Sequence, residues 1–369
     1  MPYKRYKLPE YPTKSDMWEK IASDSRPIAV YGMGNGADKL FSHLEKYGAH
    51  VSEVFASDGF VRGHSFRGFK VKSLSDIASE YEDFLILLSF ASNREEVIEM
   101  LKKINSEHTM LVPDMPVAGE EYFDKDFYNN NYENIIKAYE SLADEDSKNA
   151  FAAIINYKLF GDAEYLLNCY SDTSEIYKLI GSDIRCAVDA GAYNGDTVRE
   201  MLSYFSKLEK VYAIEPDKRN YKKLSRYVEE NLLSEKVLSY NAAVWSEDSS
   251  GEFKGSGNRN SSVASTASYE VRAEEIPLVK IDSAVNEKVD YIKYDVEGAE
   301  MEALIGSFGT IEKYRPTLLI SAYHRSEDIF SLINYMREKH PYYSLYIRRT
   351  MCFPAWEIAI IAIPNKSNE

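Results

Sequence analysis

The chain has 369 residues, and 59 acidic against 44 basic side chains give it a formal net charge of −15. That balance argues against a nucleic-acid binder, which needs clustered basic charge to neutralise phosphates, and equally against a chain that lies on anionic lipid. An apolar fraction of 44% with 28% charged residues excludes wholesale disorder, and the length sets an expectation of about two to three domains.

Cys169, Cys186 and Cys352 are sparse and odd in number, without the paired spacing of a zinc site or a disulfide framework. A reducing, cytoplasmic setting is expected. The segment MPYKRYKLPEYPTKSDMWEK has no apolar core of a secretory signal. The longest apolar runs, around Phe84–Leu88 and Ile358–Ile363, are far shorter than a membrane span.

No internal repeat is visible, but two segments share one order of parts: a short apolar strand, a glycine-rich turn and an amphipathic helix. The first is RPIAVYGMGNGADKLFSHLEKYG (26–48). It opens a smaller Rossmann-like domain over 1–118, the start of a doubly wound α/β sheet. A second strand follows at 50–57 and a hairpin at 66–74. The unbroken apolar run DFLILLSF (83–90) reads as a buried parallel strand, followed by a helix over 93–105 and a short strand at 109–113.

Residues 119–182 are polar, rich in Asn and Tyr, and helical in period, with Asp144 and Asp146 as N-terminal charge for one helix. They read as a helical connector. The rest, 183–369, alternates strand and helix. Strands are expected at RCAVDAG, KVYAIEPD, VLSYNAAVW, VDYIKYDVE, RPTLLISAYH, YSLYIRR and WEIAIIAIP, and helices at 195–206, 218–231, 298–307 and 326–340. With no helix between them, the last two strands should form an antiparallel hairpin. The Gly-, Ser- and Asn-rich stretch 251–270 reads as a mobile loop, either a lid or binding loop or else a merely disordered one.

Chemistry concentrates at the carboxyl ends of these strands, where open α/β sheets bind ligands. In VDAGAYNGDT (188–197), Gly191 and Gly195 allow a tight turn with close ligand approach, Asp189 ends the strand, and the next helix points free N–H groups at the site. An ordinary βα turn with a capping Asp would look the same. Glu215, at the tip of VYAIEPD, suits a ribose diol. In SYNAAVW, Ala242 and Ala243 leave room for a flat ring, and Asn241 could bond an adenine edge. In YIKYDVEGAEMEAL, Asp295, Glu297 and Glu300 crowd together around Gly298. Three carboxylates this close call for a cation, a bound methyl donor or a shared proton nearby. Helix N-terminal acids explain Glu300 but not Asp295 inside an apolar strand. His324, beside Tyr323 at the end of the next strand, suits a general base; capping of the following helix with Ser326 is the plain alternative.

VDAGAYNGDT, IEPD, IKYDVEGAE and ISAYH, in this order, resemble the FkbM family of S-adenosylmethionine-dependent methyltransferases over about residues 183–350. The resemblance implies the seven-stranded class I methyltransferase fold and O-methylation of a hydroxyl on a sugar, glycan or natural product. It places Asp189, Gly191, Ala192, Tyr193, Gly195 and Thr197 around the methionine end of the donor. Glu215 and Pro216 lie by the ribose, and Asn241 and Ala242 by adenine. Asp295, Glu297 and His324 face the transferring methyl and the acceptor. The family's Arg-His pair near the sixth strand is replaced here by YIRRT (346–350), where Arg349 could bind an anionic substrate. Asp295, Glu297 and His324 also suit a divalent metal assisting the transfer.

The N-terminal VYGMGNGADKL is a weak glycine turn, and the ribose-binding acid expected at the next strand end is missing at Ala56. A nucleotide-sugar or substrate-recognition domain, or a structural or dimerising one, therefore ranks above a dinucleotide site. The partners expected are a small-molecule or glycan acceptor and a second copy in a homodimer, with no nucleic acid and no membrane span. The rival reading is a donor- or nucleotide-sugar-binding protein without catalysis.

Overall fold

The computed structural model describes residues 4–61, 63–253 and 274–365, so the expected loop lies outside the described residues beyond Phe253. The N-terminal sheet is built from Ile28–Tyr31 (β1), Val51–Phe55 (β2), Leu85–Leu88 (β3) and Thr109–Leu111 (β4). It is wholly parallel, in the order β2-β1-β3-β4. The central β1 and β3 are buried along their whole length, as a strand covered on both faces requires. Ile28, Val30, Leu85 and Leu87 point to one face, where helix Asn35–Lys46 (α1) lays down Ala37, Leu40 and Leu44. Ala29, Tyr31, Ile86 and Leu88 point to the other, where helix Glu95–Glu107 (α2) brings Ile98, Leu101 and Ile104. Three short helices went unread in the N-terminal sequence: Met17–Ser23, which adds Met17, Trp18 and Ile21 to the first face, Asp58–Val61, and Leu74–Glu80, started by a Ser73–Asp76 capping box.

Residues 125–180 form five helices, the longest being Glu145–Phe160 (α3). Asp144 caps α3 by accepting from Ser147 N, and Gly161 ends it in the left-handed region. From Ala150 to Leu159 every residue of α3 is buried, so this helix is a core element and not a surface one.

The C-terminal unit runs Cys186–Ala190 (β5), Asp196–Tyr204 (α4), Lys210–Ile214 (β6), Lys218–Glu230 (α5), Val237–Tyr240 (β7), Tyr291–Tyr294 (β8), Glu300–Ile305 (α6), Thr317–Ser321 (β9), Asp328–Lys339 (α7), Tyr343–Arg349 (β10) and Ile358–Pro364 (β11). The seven strands have the order β10-β11-β9-β8-β5-β6-β7, with β11 antiparallel to both neighbours and the expected β10–β11 hairpin formed. The chain runs outward from β5 to β7, then crosses back to β8. That reversal opens a crevice at the carboxyl ends of β5 and β8. The strand expected across 237–245 is divided. Tyr240 ends β7, and Ala243–Val244 joins a separate three-stranded sheet with 249–253 and 274–279. Among the described residues no helix is long and apolar enough to cross a membrane, and all three cysteines are free and buried.

Arg349 does not face a substrate. Its side chain is buried, and its guanidinium donates to the carbonyls of Leu166, Cys169, Thr350 and Cys352. It ties the end of β10 to the helical segment, and its neighbour Arg348 pairs with Asp144 at 2.7 Å. Replacing Arg349 by Met leaves those buried carbonyls without a donor. Hydrogen bonds from a charged donor contribute about 1.5–3 kcal/mol each, so Arg349→Met should lower the unfolding free energy by about 3 kcal/mol or more, measured by urea denaturation.

Candidate active site

The loop after β5 is pressed against the end of β8. Gly191 has φ +87°, and a Cβ there would stand 1.8 Å from the carbonyl oxygen of Asp295, so only glycine fits. Gly191 N and Ala192 N both donate to Ile214 O, and Asp295 N donates to Ala190 O at 2.9 Å. Gly195, also left-handed at φ +85°, is the N-cap of α4. The loop therefore touches the ends of β6 and β8 together.

Glu215 follows β6 and is almost wholly buried. One oxygen accepts from Tyr193 N at 2.8 Å and the other from Asp217 N at 2.9 Å. Burial pushes its carboxyl up to about 8 against the pull of those two bonds. Asp189 is fully buried, and neither of its oxygens has a hydrogen-bond partner; burial raises it to about 7 while Lys293 opposes the rise. Asn241 spends its amide on the carbonyls of Glu215 and Pro216, at 2.9 Å each, and so shapes the Glu215 turn from behind.

A cavity of about 690 Å³ opens between these loops. Of the residues singled out in the sequence, Gly191, Tyr193, Thr197, Glu215, Pro216, Asp295 and Glu297 line it. Asp189, Ala192 and Gly195 do not line it. Ala243 and Val244 form the wall that was expected of Asn241 and Ala242. Tyr323, Thr350 and Glu357 contribute from β9 and from the β10–β11 connection, and Asn93 reaches in from the N-terminal half. Tyr193, Glu297 and Glu357 are non-glycine residues with φ of 46°, 54° and 63°, a conformation costing about 1–3 kcal/mol each that clusters at functional sites.

At the β8 end a charge cluster forms. Residues 291, 293 and 295 share one side of the strand, so Lys293 turns toward α4. Its Nζ lies 3.1 Å from Thr197 Oγ1 and 3.1 Å from Asp295 Oδ2. Burial disfavours its charge, but Asp295 and Asp189 outweigh that and raise its pKa. Burial would likewise raise Asp295, yet Lys293 and then His324 bring it down to about 2; Tyr323 donates to its Oδ1 at 3.2 Å.

His324 is fully buried behind the carboxylates and does not line the cavity. Its Nδ1 is 2.9 Å from Glu300 Oε1, an ion-pair contact whose angle falls short of a straight hydrogen bond. Its Nε2 is 3.6 Å from both Asp295 Oδ1 and Glu297 Oε2. Burial lowers its pKa, but Glu300, followed by Glu297 and Asp295, holds it up at about 10. Glu300 is itself buried and accepts from Val296 N at 2.9 Å, a fixed role that its place in a helix first turn does not reveal. Lys293 was also missed, although a lone lysine inside the apolar VDYIKYD is a legible signal.

A glycine-looped parallel sheet with acids at adjacent strand tips and a switch-point cavity defines a class I methyltransferase fold. Residues 189–342 match the family model described as the methyltransferase FkbM domain. That match marks residues 189–342 as an FkbM-type methyltransferase domain. The crystal structure of methyltransferase FkbM from Methylobacillus flagellatus KT is similar to the protein over 97% of this chain and 94% of that one, with a TM-score of 0.68 at 18% identity. That likeness of fold extends over the N-terminal sheet and the helical segment. An rRNA methylase from Streptococcus thermophilus (TM-score 0.34, 12% identity, 52% of this chain and 93% of that one) is similar over about half of the chain. So is the tRNA m1G37 methyltransferase of M. jannaschii (0.31, 13%, 53% and 46%). No curated protein matches the chain.

Glu215 makes a pH prediction. Its pKa rises from 4.5 to about 8 on folding, so the unfolded chain loses this proton first. The stability it contributes is complete below about pH 4.5 and is lost as pH rises through about 8. Denaturant melts at stepped pH should show stability falling across that window, and Glu215→Gln should flatten the slope. An unchanged slope would refute the assignment.

Proposed function

We propose that the chain transfers the methyl group of S-adenosylmethionine to a hydroxyl of a sugar, glycan or natural-product acceptor. The observation that carries this reading is a cavity lined by Gly191, Tyr193 and Glu215 together with Asp295 and Glu297. The donor fits what is there. Glu215 uses one lone pair on each oxygen for the backbone and keeps others for a ribose diol. Gly191 leaves the main chain bare, and the ionised Asp295 makes the surroundings favourable to a cationic sulfonium. The donor, when bound, supplies an electrophilic methyl for in-line displacement.

The chain's own residues hold the acceptor oxygen against that methyl and take its proton. As the oxygen–carbon bond forms, the hydroxyl becomes far more acidic than a carboxylic acid, so Asp295 or Glu297 suffices as acceptor despite the low pKa of Asp295. His324 is a positioning residue here, because it is buried behind the carboxylates and does not line the cavity. The lining carries more acids (Asp196, Glu200, Glu215, Asp295, Glu297 and Glu357) than bases (Arg199 and Lys293). Arg348 and Arg349 are engaged elsewhere. This supports an uncharged or cationic acceptor over an anionic one.

Calorimetry with S-adenosylmethionine tests the donor. Glu215→Ala should weaken binding by about 10- to 100-fold, the equivalent of about 1.5–3 kcal/mol, and absence of binding to the native chain would overturn the reading. With labelled donor and a panel of sugars, Asp295→Asn should lower turnover by about 100-fold or more and change donor affinity only a few-fold.

A further inference from the structure

The cavity wall is completed by residues that the family match does not cover. The matched span 189–342 carries the Gly191 loop, Glu215, Asp295 and Glu297, while Asn93 and Thr350 line the same cavity from outside it. Strand order places them. From β6, which leads into Glu215, the sheet runs through β5, β8 and β9 to β11, four strand spacings or about 19 Å. Ile358 and Ala359 at the start of β11 also line the cavity, so it reaches across that width. Thr350 directly follows β10, the strand beyond, and its N–H donates to Glu357 O at 3.3 Å, just before β11. Asn93 is brought to the cavity by a backbone clasp. Ser92 N donates to Phe353 O at 2.7 Å, and Phe353 N donates to Ser92 O at 3.0 Å. Phe353 is fully buried, so the clasp grips an anchored point of the β10–β11 connection, while Asn93 itself stays exposed.

Both side chains are unspent. Among the described residues, neither the Asn93 amide nor the Thr350 hydroxyl makes a hydrogen bond. An amide and a hydroxyl each donate and accept without charge, as a sugar hydroxyl does. A carboxylate or phosphate would need a free cation, and the basic residues of the lining are committed. Lys293 bonds Asp295 and Thr197, and Arg199 donates to Asn194. We propose that Asn93 and Thr350 form an acceptor subsite that reads uncharged hydroxyls beside the one that is methylated, so that the N-terminal half of the chain sets acceptor specificity. The acceptor class is then a neutral glycoside or polyol. This rests on the methyl transfer proposed above: with the nucleoside at Glu215 and the methyl at Asp295, groups on the β11 side of Asp295 meet the acceptor. Asn93 and Thr350 bind it and take no part in the proton transfer. A few fixed polar groups of this kind are what orient a ligand in a cavity.

Saturation-transfer NMR titrations of the full chain test the subsite, with S-adenosylhomocysteine present to fill the donor site without turnover, and again without it. The probes are neutral methyl hexosides and methyl deoxyhexosides, a methyl glucuronide and a methyl glucosaminide. At least one neutral glycoside should bind saturably, and more tightly than the glucuronide. Asn93→Ala and Thr350→Val should each weaken that binding by about 3- to 10-fold, the loss of one neutral hydrogen bond. Calorimetry should show their affinity for S-adenosylmethionine unchanged. Asn93→Asp keeps the size and adds charge, so it should favour the glucosaminide over the neutral glycoside by about 10-fold relative to the native chain. A merely structural role would weaken all probes together. Circular dichroism melts check folding, and the variants of exposed Asn93 carry the test if Thr350→Val does not fold. No saturable binding of any neutral glycoside, tighter binding of the glucuronide, or unchanged binding in Asn93→Ala overturns the subsite. Glycoside binding that depends on Asn93 in a chain that does not bind S-adenosylmethionine removes the donor reading alone. Donor binding without glycoside binding removes the subsite alone.

Discussion

The ammonium of Lys293 holds the carboxyl ends of two strands, β5 and β8, and the first turn of α4 in one arrangement. Asp189 near the end of β5 and Asp295 just after β8 sit close enough for each to feel the other's charge, and burial penalises both. Lys293 bonds Asp295 directly and keeps it ionised at about 2, while Asp189, reached only through space, stays near 7. One cation thus drives two neighbouring carboxyls apart in pKa, which is how a site assigns different tasks to like groups. Its third contact, to Thr197, locks the first turn of α4 to the same point, so the N–H groups of that helix face the cavity in a fixed direction.

The second constraint is steric. With Gly191 lying under the Asp295 carbonyl, the Gly191–Gly195 loop cannot shift without moving the segment that carries Asp295 and Glu297. Tyr193 and Glu297, on either side of that contact, both take left-handed backbone. The strain is stored where the two half-sites meet, and the hydrogen bonds of Glu215 to Tyr193 and of Glu300 to Val296 hold it there. Binding geometry at one end of the cavity is therefore mechanically tied to geometry at the other.

The strands and helices that carry the site were legible in the sequence because each is a strong local pattern: an unbroken apolar run, a glycine turn, an acid at the tip. What escaped was set by tertiary contact. Nothing local says that Asn241 would turn its amide onto the Glu215–Pro216 carbonyls and end β7 there, diverting Ala243–Val244 into another sheet. His324 reads as a general base or a helix cap from its strand-tip position, but it is fully buried, with Glu300 2.9 Å from its Nδ1. Arg349 reads as a ligand for anions until the carbonyls of the helical segment claim it. The excess of 29 tyrosines is partly structural. Tyr128, Tyr294 and Tyr343 are fully buried, with hydroxyls bonded to Pro9 O, Ser307 and Pro316 O. Tyr193 and Tyr323 do reach the cavity.

The N-terminal glycine turn illustrates the same limit from the other side. Its spacing suggests a nucleotide loop, yet a Cβ on Gly36 would lie 2.2 Å from the Ser89 carbonyl and one on Gly32 2.6 Å from Ser89 Oγ. Those glycines are explained by the close packing of α1 against the end of β3. Beyond that strand end, Ser92 exchanges two backbone hydrogen bonds with Phe353 in the β10–β11 connection, and Asn93 enters the cavity wall. A tight turn at the tip of one sheet therefore fixes where a neighbouring loop meets the other sheet. The N-terminal half thus sets the position of Asn93 in the cavity wall, and that placement needs no ligand at the glycine turn itself.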